Sequence, residues 1–337
     1  MPVQKYTKRV LVIIAALALM TLAACGSGSA GGTTKVKLGH TLTENSAWQK
    51  GAEYFADKIE KQTDGDYEVD IFPNGQIASG DQGKAIEMLR RGDYDIDISS
   101  LLIWSGFDST QDIVAMPWIL PTFEDVEAVE DGNAGELLMS SVEDSQHVKA
   151  NSMGETGYRH MYSNKRQITQ PDDLENLKIR IPVTPLYKDL YKNLGANPST
   201  LDFTEVYSGL QQGTIDGVEG VTDVLLSSKI NEVVDYASIN NYNFDFFYLT
   251  YSEDFWNGLS KSDKKIFEKV GKDASAYITD YTRKANKSAL DKFKEDVDTV
   301  ELTDEQIQEF IDASKPVYDK YRDQFPAELR DAFDYPE

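Results

Sequence analysis

The stretch YEVDIFPNGQIASGDQGKAIEMLRRGDYDIDI, residues 67–98, contains in succession the patterns of a strand, a helix and a second strand. Residues 67–72 and 94–98 alternate apolar and polar side chains, as half-buried strands do. Between them, apolar residues recur at helical spacing until Gly92, a residue type suited to the left-handed backbone at a helix end. A further strand pattern over residues 36–42 and a helix precede this stretch. This βαβαβ order predicts an α/β fold with a mostly parallel sheet and helices on its faces.

A related unit lies downstream of the first. Residues 177–181 have a strand pattern, and the segments LRRGDYD at 89–95 and LQQGTID at 210–216 both run from a helix through a glycine into a strand. Two such units indicate two lobes. Because open α/β sheets bind ligands at the carboxyl ends of their strands, we expect a cleft between the lobes. The last third is helical, with one long amphipathic pattern over residues 260–297 and a capping box at Thr303 that starts another helix.

The N-terminus has the pattern of a lipoprotein export signal. Three basic residues precede an apolar run over residues 10–20, which is shorter than the roughly 20 residues of a membrane-spanning helix. The run ends in Leu-Ala-Ala-Cys, so residues 1–24 are predicted to be a removed signal peptide. Cys25, the only cysteine in the chain, is predicted to carry a diacylglycerol. Residues 25–34 are rich in Gly and Ser and are expected to form a flexible tether to the membrane.

Charge and cysteine content limit the classes of partner. The chain has 337 residues and a formal net charge of −23. Such a negative field repels nucleic acid, so no nucleic-acid partner is expected. It also repels anionic ligands, so a carboxylate site in this protein must concentrate positive charge locally. With a single cysteine, the fold must depend on its hydrophobic cores and not on disulfides.

Residues suited to catalysis or metal binding are sparse. The three histidines, His40, His147 and His160, lie far apart in sequence and form no metal-binding spacing. The chain contains neither the GxSxG motif of a nucleophile elbow nor a Walker loop for phosphate. We therefore expect no enzymatic activity, no cofactor and no metal site.

Arginine placement is the most informative feature for ligand binding. Arg180 stands at the end of the apolar strand pattern 177–182, where its side chain would be partly buried. A guanidinium presents planar donors that match a carboxylate through two parallel hydrogen bonds. From the residues alone, Arg180 either binds a ligand carboxylate or forms a structural ion pair with one of 57 acidic residues. The role of Arg159, in the sequence Gly157-Tyr158-Arg159-His160, is more ambiguous.

Several segments, taken together, resemble a known family. They occur in order after the leader, at 50–56, 72–76, 159–164, 171–182, 194–198, 203–207, 210–217 and 227–229, and the long C-terminal helix follows. In this order they resemble the solute-binding P-subunit of TRAP (tripartite ATP-independent periplasmic) transporters of the DctP type, here as a lipoprotein. The resemblance implies a two-lobed fold like that of type II periplasmic binding proteins, with crossover strands between the lobes and a long helix spanning both.

The lobe boundaries are predicted on this basis. The first lobe is expected to comprise residues 35–156 and about 246–283. The second is expected to comprise residues 157–245 and about 284–337, including the C-terminal helices. Closure of the two lobes around a ligand would be a hinge motion.

The resemblance also implies roles for particular residues. Arg180 would make the main bidentate pair with a ligand carboxylate, Arg159 would assist it, and Phe203 would pack on the ligand body. The family commonly has an asparagine that reaches the ligand where this chain has Gly220, directly after Glu219. This departure removes a donor and is expected to open space in the cleft. Both Glu219 and Gly220 are expected to lie against the ligand body.

Further cleft residues are predicted from their positions at strand ends and near the crossover. In the first lobe, Ser100 and Trp104 are expected to face the cleft and to make it more apolar and aromatic than a sugar-acid site. Tyr242 and Asn243, near the crossover, are expected to line it as well. His40, at the end of the first strand, either lines the pocket or makes a structural hydrogen bond.

The predicted function is that of an extracytoplasmic receptor that captures a small organic carboxylate between its lobes. A monocarboxylate with a bulky or apolar body is favoured over a polyhydroxy acid. By resemblance, the partners are the small and large integral membrane subunits of a TRAP permease, together with membrane lipid through Cys25. Two alternatives stay open: the receptor of an ATP-driven uptake system, and a lipid-anchored subunit of a sensory receptor.

Overall fold

Nine strands form one sheet in the part of the chain that the computed structural model describes, residues 32–336. The predicted signal peptide and Cys25 lie outside these described residues. The strands are Thr34–His40 (β1), Tyr67–Phe72 (β2), Ile96–Ser100 (β3), Val148–Ser163 (β4), Lys178–Ile181 (β5), Asn197–Thr200 (β6), Gly217–Val221 (β7), Tyr236–Ser252 (β8) and Asp298–Glu301 (β9). Their order across the sheet is β2-β1-β3-β8-β4-β7-β5-β6, and β9 pairs with β8.

Helices connect and cover these strands. They are Ala47–Gln62 (α1), Gln82–Arg90 (α2), Leu101–Trp104 (α3), Phe123–Asp131 (α4), Asn133–Gln146 (α5), Pro185–Asn193 (α6), Val206–Gln211 (α7), Thr222–Ser227 (α8), Glu253–Gly258 (α9), Lys261–Asp296 (α10), Asp304–Tyr321 (α11) and Ala327–Ala332 (α12). Among the described residues, no helix combines the length and apolar character that a membrane crossing needs.

The centre of the sheet is antiparallel, so the prediction of a mostly parallel sheet is wrong there. The pairs β3–β8, β8–β4 and β4–β7 are antiparallel, whereas β1–β3, β5–β7 and β5–β6 are parallel. The two long strands cause the difference. β4 and β8 pair with each other along most of their length, β8 also pairs with β3, and β4 also pairs with β7. They therefore join the two halves of the sheet and are the crossover strands. Side-chain alternation gives no information about strand direction, so the sequence pattern could not show this.

Several predicted elements are observed at the expected positions. The strand predicted over residues 67–72 is β2, and the long helix predicted over residues 260–297 is α10. Ser260 caps α10 by accepting a hydrogen bond from the Asp263 amide at 3.2 Å. The capping box at Thr303 is present, with reciprocal hydrogen bonds between Thr303 and Gln306. These features depend on local sequence, which is why the pattern located them.

Helix α10 contributes side chains to two separate hydrophobic cores. Near its N-terminus, Phe267, Val270 and Ala274 join a core with α1 and β1, and near its C-terminus Phe293 joins a second core with β7. Close contact with α1 depends on Gly51, where a Cβ would lie 2.1 Å from Cγ1 of Ile278. A single helix thus braces the regions on either side of the crossover strands.

Candidate ligand-binding site

A cavity lies where the carboxyl ends of four strands converge. β3, β5 and β7 each contribute wall residues at or next to their carboxyl ends, and two wall residues directly follow β1. The long strands β4 and β8 also contribute wall residues. The cavity itself has a volume of about 50 Å³, which is well below the usual range of ligand pockets. The wall residues are Thr41, Leu42, Trp48, Gln82, Ser100, Leu102, Ile103, Thr156, Arg159, Arg180, Pro182, Phe203, Glu219, Gly220, Val221, Val224, Leu225 and Asp245. They come from both predicted lobes.

Arg180 stands in this wall without an ionic partner. It lies on β5, its side chain is buried, and its Nε donates a 2.8 Å hydrogen bond to the carbonyl oxygen of Leu201. Within residues 32–336 it forms no ion pair at either terminal nitrogen. Burial lowers the pKa of Arg180 to about 10, because an unpaired charge is poorly solvated there. The group is therefore still a cation at neutral pH.

Arg159 differs because the protein supplies its partners. On β4, its Nε and Nη2 donate to the two carboxylate oxygens of Glu219 at 2.6 and 2.7 Å, and its Nη1 donates to Oδ2 of Asp245 at 2.8 Å. Burial alone would lower the pKa of Arg159, but the charges of Glu219 and Asp245 raise it well above its ordinary value. All three of its nitrogens are engaged by the protein. Arg159 nevertheless lies in the cavity wall, and its assistance to a ligand carboxylate stays a prediction.

Neighbouring side chains fix the two acidic residues in place. The hydroxyl of Ser100, at the end of β3, donates to Oδ1 of Asp245 at 2.6 Å, and the phenol of Tyr242 donates to Oε2 of Glu219. Burial raises the pKa of Asp245 to about 6, and the charge of Arg159 opposes that shift. Asp245 is therefore mostly ionised at neutral pH. A rigid, hydrogen-bonded network thus forms one side of the cavity.

Phe203 and Gly220 lie in the wall near Arg180. The Cζ of Arg180 is 5.7 Å from the centre of the Phe203 ring, which suits a cation–π contact. Gly220 does not leave the open space that was expected. A Cβ at this position would lie 3.2 Å from Cδ2 of Leu225, itself a wall residue, so the side chain of Leu225 fills that side.

Trp104 and His40 are not in the cavity wall. Trp104 is fully buried, and its indole nitrogen donates to the Ser99 hydroxyl at 3.0 Å, so it belongs to the core beneath α3. The His40 ring hydrogen-bonds to the side chain of Gln49 at 2.9 Å, and burial lowers the pKa of His40 to about 4. Of the two roles left open for His40, the structure shows the structural hydrogen bond.

Tyr242 and Asn243 also lie behind the wall and do not line it. Tyr242 is fully buried and supports Glu219 through its hydroxyl, as described above. Asn243 accepts a 2.8 Å hydrogen bond from the hydroxyl of Tyr187 and donates a 2.6 Å bond to the carbonyl of Val114. Tyr242 and Asn243 therefore support neighbouring residues by hydrogen bonds and are not part of the cavity surface. The expectation that they line the cleft is not met.

Asp245 and Trp48 are two of the wall residues that sequence reasoning missed. Asp245 is a single carboxylate inside the apolar run of β8, and such an isolated charge could have marked a buried site. Trp48 lies among the buried residues of α1. It is buried, but it also forms part of the cavity wall. Nothing in helical periodicity distinguishes a core residue from one that borders a cavity.

No group of three or more His, Cys, Asp or Glu side chains within residues 32–336 is placed to hold a metal ion. The acidic residues of the wall, Glu219 and Asp245, are held by Arg159. The site therefore consists of one cation without an ion pair, one network in which a single cation faces two carboxylates, and a largely apolar remainder. Such a site can hold an anion, and it presents no evident nucleophile and base pair.

Comparisons with known proteins agree with this description. The model of the family described as bacterial extracellular solute-binding protein, family 7 (DctP), matches residues 38–324. A solute-binding protein of Roseobacter denitrificans is 31% identical over 276 residues, which span 80% of this chain and 82% of that protein. A TRAP periplasmic solute-binding protein of Polaromonas bound to D-erythronate is 30% identical, with a TM-score of 0.84 over 89% of this chain and 98% of that chain. One from Sulfurospirillum deleyianum with bound succinate is 27% identical, with a TM-score of 0.85 over 90% and 99%.

The fold and the cavity together define an α/β solute-binding receptor. The chain belongs to the bacterial extracellular solute-binding protein family 7, the DctP family of TRAP solute-binding proteins. The predicted family and the two-lobed binding-protein fold are thereby confirmed, and members of this family serve in transport and are not enzymes.

Proposed function

We propose that this protein is the solute receptor of a TRAP transporter and that it binds a small organic carboxylate through Arg180. The supporting observation is the unpaired, buried guanidinium of Arg180 in a cavity bordered by both predicted lobes. A buried cation without a partner is unfavourable, and a ligand carboxylate would compensate it with two parallel hydrogen bonds. Relatives with bound D-erythronate and succinate support a carboxylate ligand.

The predicted site residues have different roles in ligand binding. Arg180 binds the carboxylate, Phe203 packs against the ligand body, and Glu219, Gly220 and Ser100 shape the wall. Arg159 acts as a positioning residue that holds Glu219 and Asp245. Hinge closure of the two predicted lobes would then enclose the ligand.

The test is a thermal-shift screen of organic carboxylates on the purified protein, followed by calorimetry on the best binder. A ligand at about 100 times its Kd stabilises a protein by about 2.7 kcal/mol, so binders should be visible in the screen. Arg180→Ala should weaken binding by about 2–5 kcal/mol, roughly 30-fold to several thousand-fold. Arg180→Lys should also bind weakly, because a point charge cannot reproduce the planar donor pair.

Arg91→Ala serves as the control, since Arg91 is exposed and pairs only with the nearby Asp93. It should bind like the wild type. Wild-type affinity in Arg180→Ala would show that the carboxylate binds elsewhere.

We further propose delivery of the ligand to a small and a large integral membrane subunit, as the family resemblance implies. Proteoliposomes containing the two subunits should take up the ligand only when this protein is added. Uptake that instead requires an ATPase would favour the ATP-driven alternative, and ligand-dependent activation of a sensor kinase would favour the sensory one.

Anchoring through a diacylated Cys25 is part of the same proposal. Metabolic labelling with a lipid precursor should mark the wild-type protein and not Cys25→Ser, which should be released from the membrane. Equal membrane retention of both forms would exclude the lipid anchor.

A further inference from the structure

The charges in the cavity wall allow for one ligand carboxylate. Four charged side chains line the cavity: Arg159, Arg180, Glu219 and Asp245. Arg159 is hydrogen-bonded to both acidic residues, so these three form a closed network. Only Arg180 remains to pair with a ligand. A second ligand carboxylate would lie in the same small cavity as Glu219 and Asp245 with no cation to balance it, and buried like charges repel strongly.

Two polar groups in the wall lack partners. Trp48 is 2% exposed and its indole Nε1 has no hydrogen-bond partner among the described residues; Thr156 is 4% exposed and its hydroxyl is likewise unpaired there. A buried donor without a partner costs about 1–3 kcal/mol. An indole N–H can only donate, so the group that satisfies it must be an acceptor oxygen.

The rest of the wall is mostly aliphatic. Leu42, Leu102, Ile103, Val221, Val224 and Leu225 all border the cavity. These side chains can cover the body of a ligand but cannot hydrogen-bond several hydroxyl groups. Of the other polar wall residues, Gln82 donates to the Thr41 hydroxyl and Ser100 donates to Asp245, so a polyhydroxy acid would lose hydrogen bonds to water that this wall replaces only in part.

We propose that the ligand is a monocarboxylate with an aliphatic body and an uncharged oxo or hydroxyl oxygen that accepts a hydrogen bond from Trp48. We also propose that Asp245, held by Ser100 and Arg159, is the residue that rejects dicarboxylates. Thr156 provides a second hydrogen bond to the same oxygen. This inference rests on the proposed function, because it takes Arg180 as the carboxylate partner.

The first test compares matched acids by calorimetry on the soluble chain at neutral pH. Each set shares a carbon count: a 2-oxo monocarboxylate, the same acid without the oxo group, and the 2-oxo dicarboxylate. For five carbons these are 2-oxopentanoate, pentanoate and 2-oxopentanedioate, and the sets cover four to seven carbons. The oxo monocarboxylate should bind about tenfold more tightly than the plain acid and at least about tenfold more tightly than the dicarboxylate.

The outcomes separate this inference from the proposed function. If no acid in any set binds, the proposed carboxylate receptor function itself fails. If a dicarboxylate binds as tightly as its matched monocarboxylate and loses affinity in Arg180→Ala, the receptor function stands and the rejection by Asp245 is wrong. If the oxo and plain acids bind equally, the hydrogen bond from Trp48 is wrong.

Variants assign each preference to its residue. Asp245→Asn keeps the shape and the hydrogen bond from Ser100 but removes the charge and the acceptor for Nη1 of Arg159. It should therefore raise dicarboxylate affinity about tenfold or more relative to the monocarboxylate. Trp48→Phe should bring the oxo and plain acids to equal affinity without weakening the plain acid. Trp256→Phe is the control, because Trp256 stacks on Tyr251 away from the cavity.

Circular dichroism should confirm that the variants are folded. If Asp245→Asn does not fold, the wild-type ranking of the matched acids still decides the proposal. An unchanged dicarboxylate-to-monocarboxylate ratio in folded Asp245→Asn would overturn the role of Asp245.

Discussion

Arg159 and Arg180 lie on strands of the same sheet, with only β7 between them, and yet their environments are opposite. Arg159 pairs with Glu219 and Asp245, and these charges raise its pKa. Arg180 donates one hydrogen bond to a backbone carbonyl, and burial lowers its pKa to about 10. Both side chains are buried in the wall of one cavity. Identical residue types therefore serve here as a structural cation and as a free one.

The difference shows that burial alone does not identify a binding arginine. A buried ion pair removes the charge from competition for ligands, and breaking it is costly. A buried arginine without a carboxylate partner destabilises the ligand-free protein. An anion that pairs with this arginine removes that cost, which contributes to the free energy of binding. The comparison predicts that substitution of Arg159 mainly lowers stability, whereas substitution of Arg180 mainly weakens ligand binding.

The largest effect is expected for Arg159→Met. This change leaves Glu219 and Asp245 buried without a cation, which should lower the free energy of unfolding by about 3–5 kcal/mol. Urea denaturation of the ligand-free protein measures the change. Arg91→Met, at an exposed site, should stay within about 0.5 kcal/mol of the wild type. A loss for Arg159→Met no greater than that of the control would show that the ion network contributes nothing.

A smaller effect is expected for Asp223→Asn, which removes a partly buried charge for which no ligand is proposed. Burial raises the pKa of Asp223 to about 6, and no ion pair with it occurs among residues 32–336. The folded protein thus holds this proton to higher pH than the unfolded chain, so the free energy of unfolding falls as pH rises from about 4 to about 6. The variant should be about 1–2 kcal/mol more stable than the wild type near pH 8 and gain nothing near pH 4.

Urea denaturation at both pH values checks this, with the exposed Asp280→Asn as the control. A gain of the same size at both pH values would mean that the charge of Asp223 is not its cause. In that case the reasoning applied to Arg180, that an uncompensated buried charge is unfavourable, would lose support.

The smallest effect on stability is expected for Arg180→Met without ligand. Only the hydrogen bond to the Leu201 carbonyl is lost and no carboxylate is left unpaired, so the free energy of unfolding should change by less than about 1 kcal/mol. The same variant should lose carboxylate binding. A loss of stability as large as that of Arg159→Met would instead indicate a structural role for Arg180 and would remove the contrast between the two residues.

Much of the fold was predictable because its signals are local. The strand at residues 67–72, the long helix after Ser260 and the capping box at Thr303 all follow from side-chain spacing over a few residues. The antiparallel centre was not predictable, because strand direction depends on pairing between β4 and β8, which are far apart in the chain. For the same reason Trp104 was assigned to the cleft although it packs in the core.

The sequence by itself determined the order of the elements, the family, and the presence of arginines at strand ends of a very acidic protein. Hydrophobic periodicity, helix caps and the order of motifs depend on residues close together in sequence. They can therefore be recognised without knowledge of the tertiary structure. Only the tertiary structure decided which arginine is free. The partners of Arg159 lie 60 and 86 residues away in sequence, and folding brings them within hydrogen-bond distance of Arg159 while leaving Arg180 without a carboxylate.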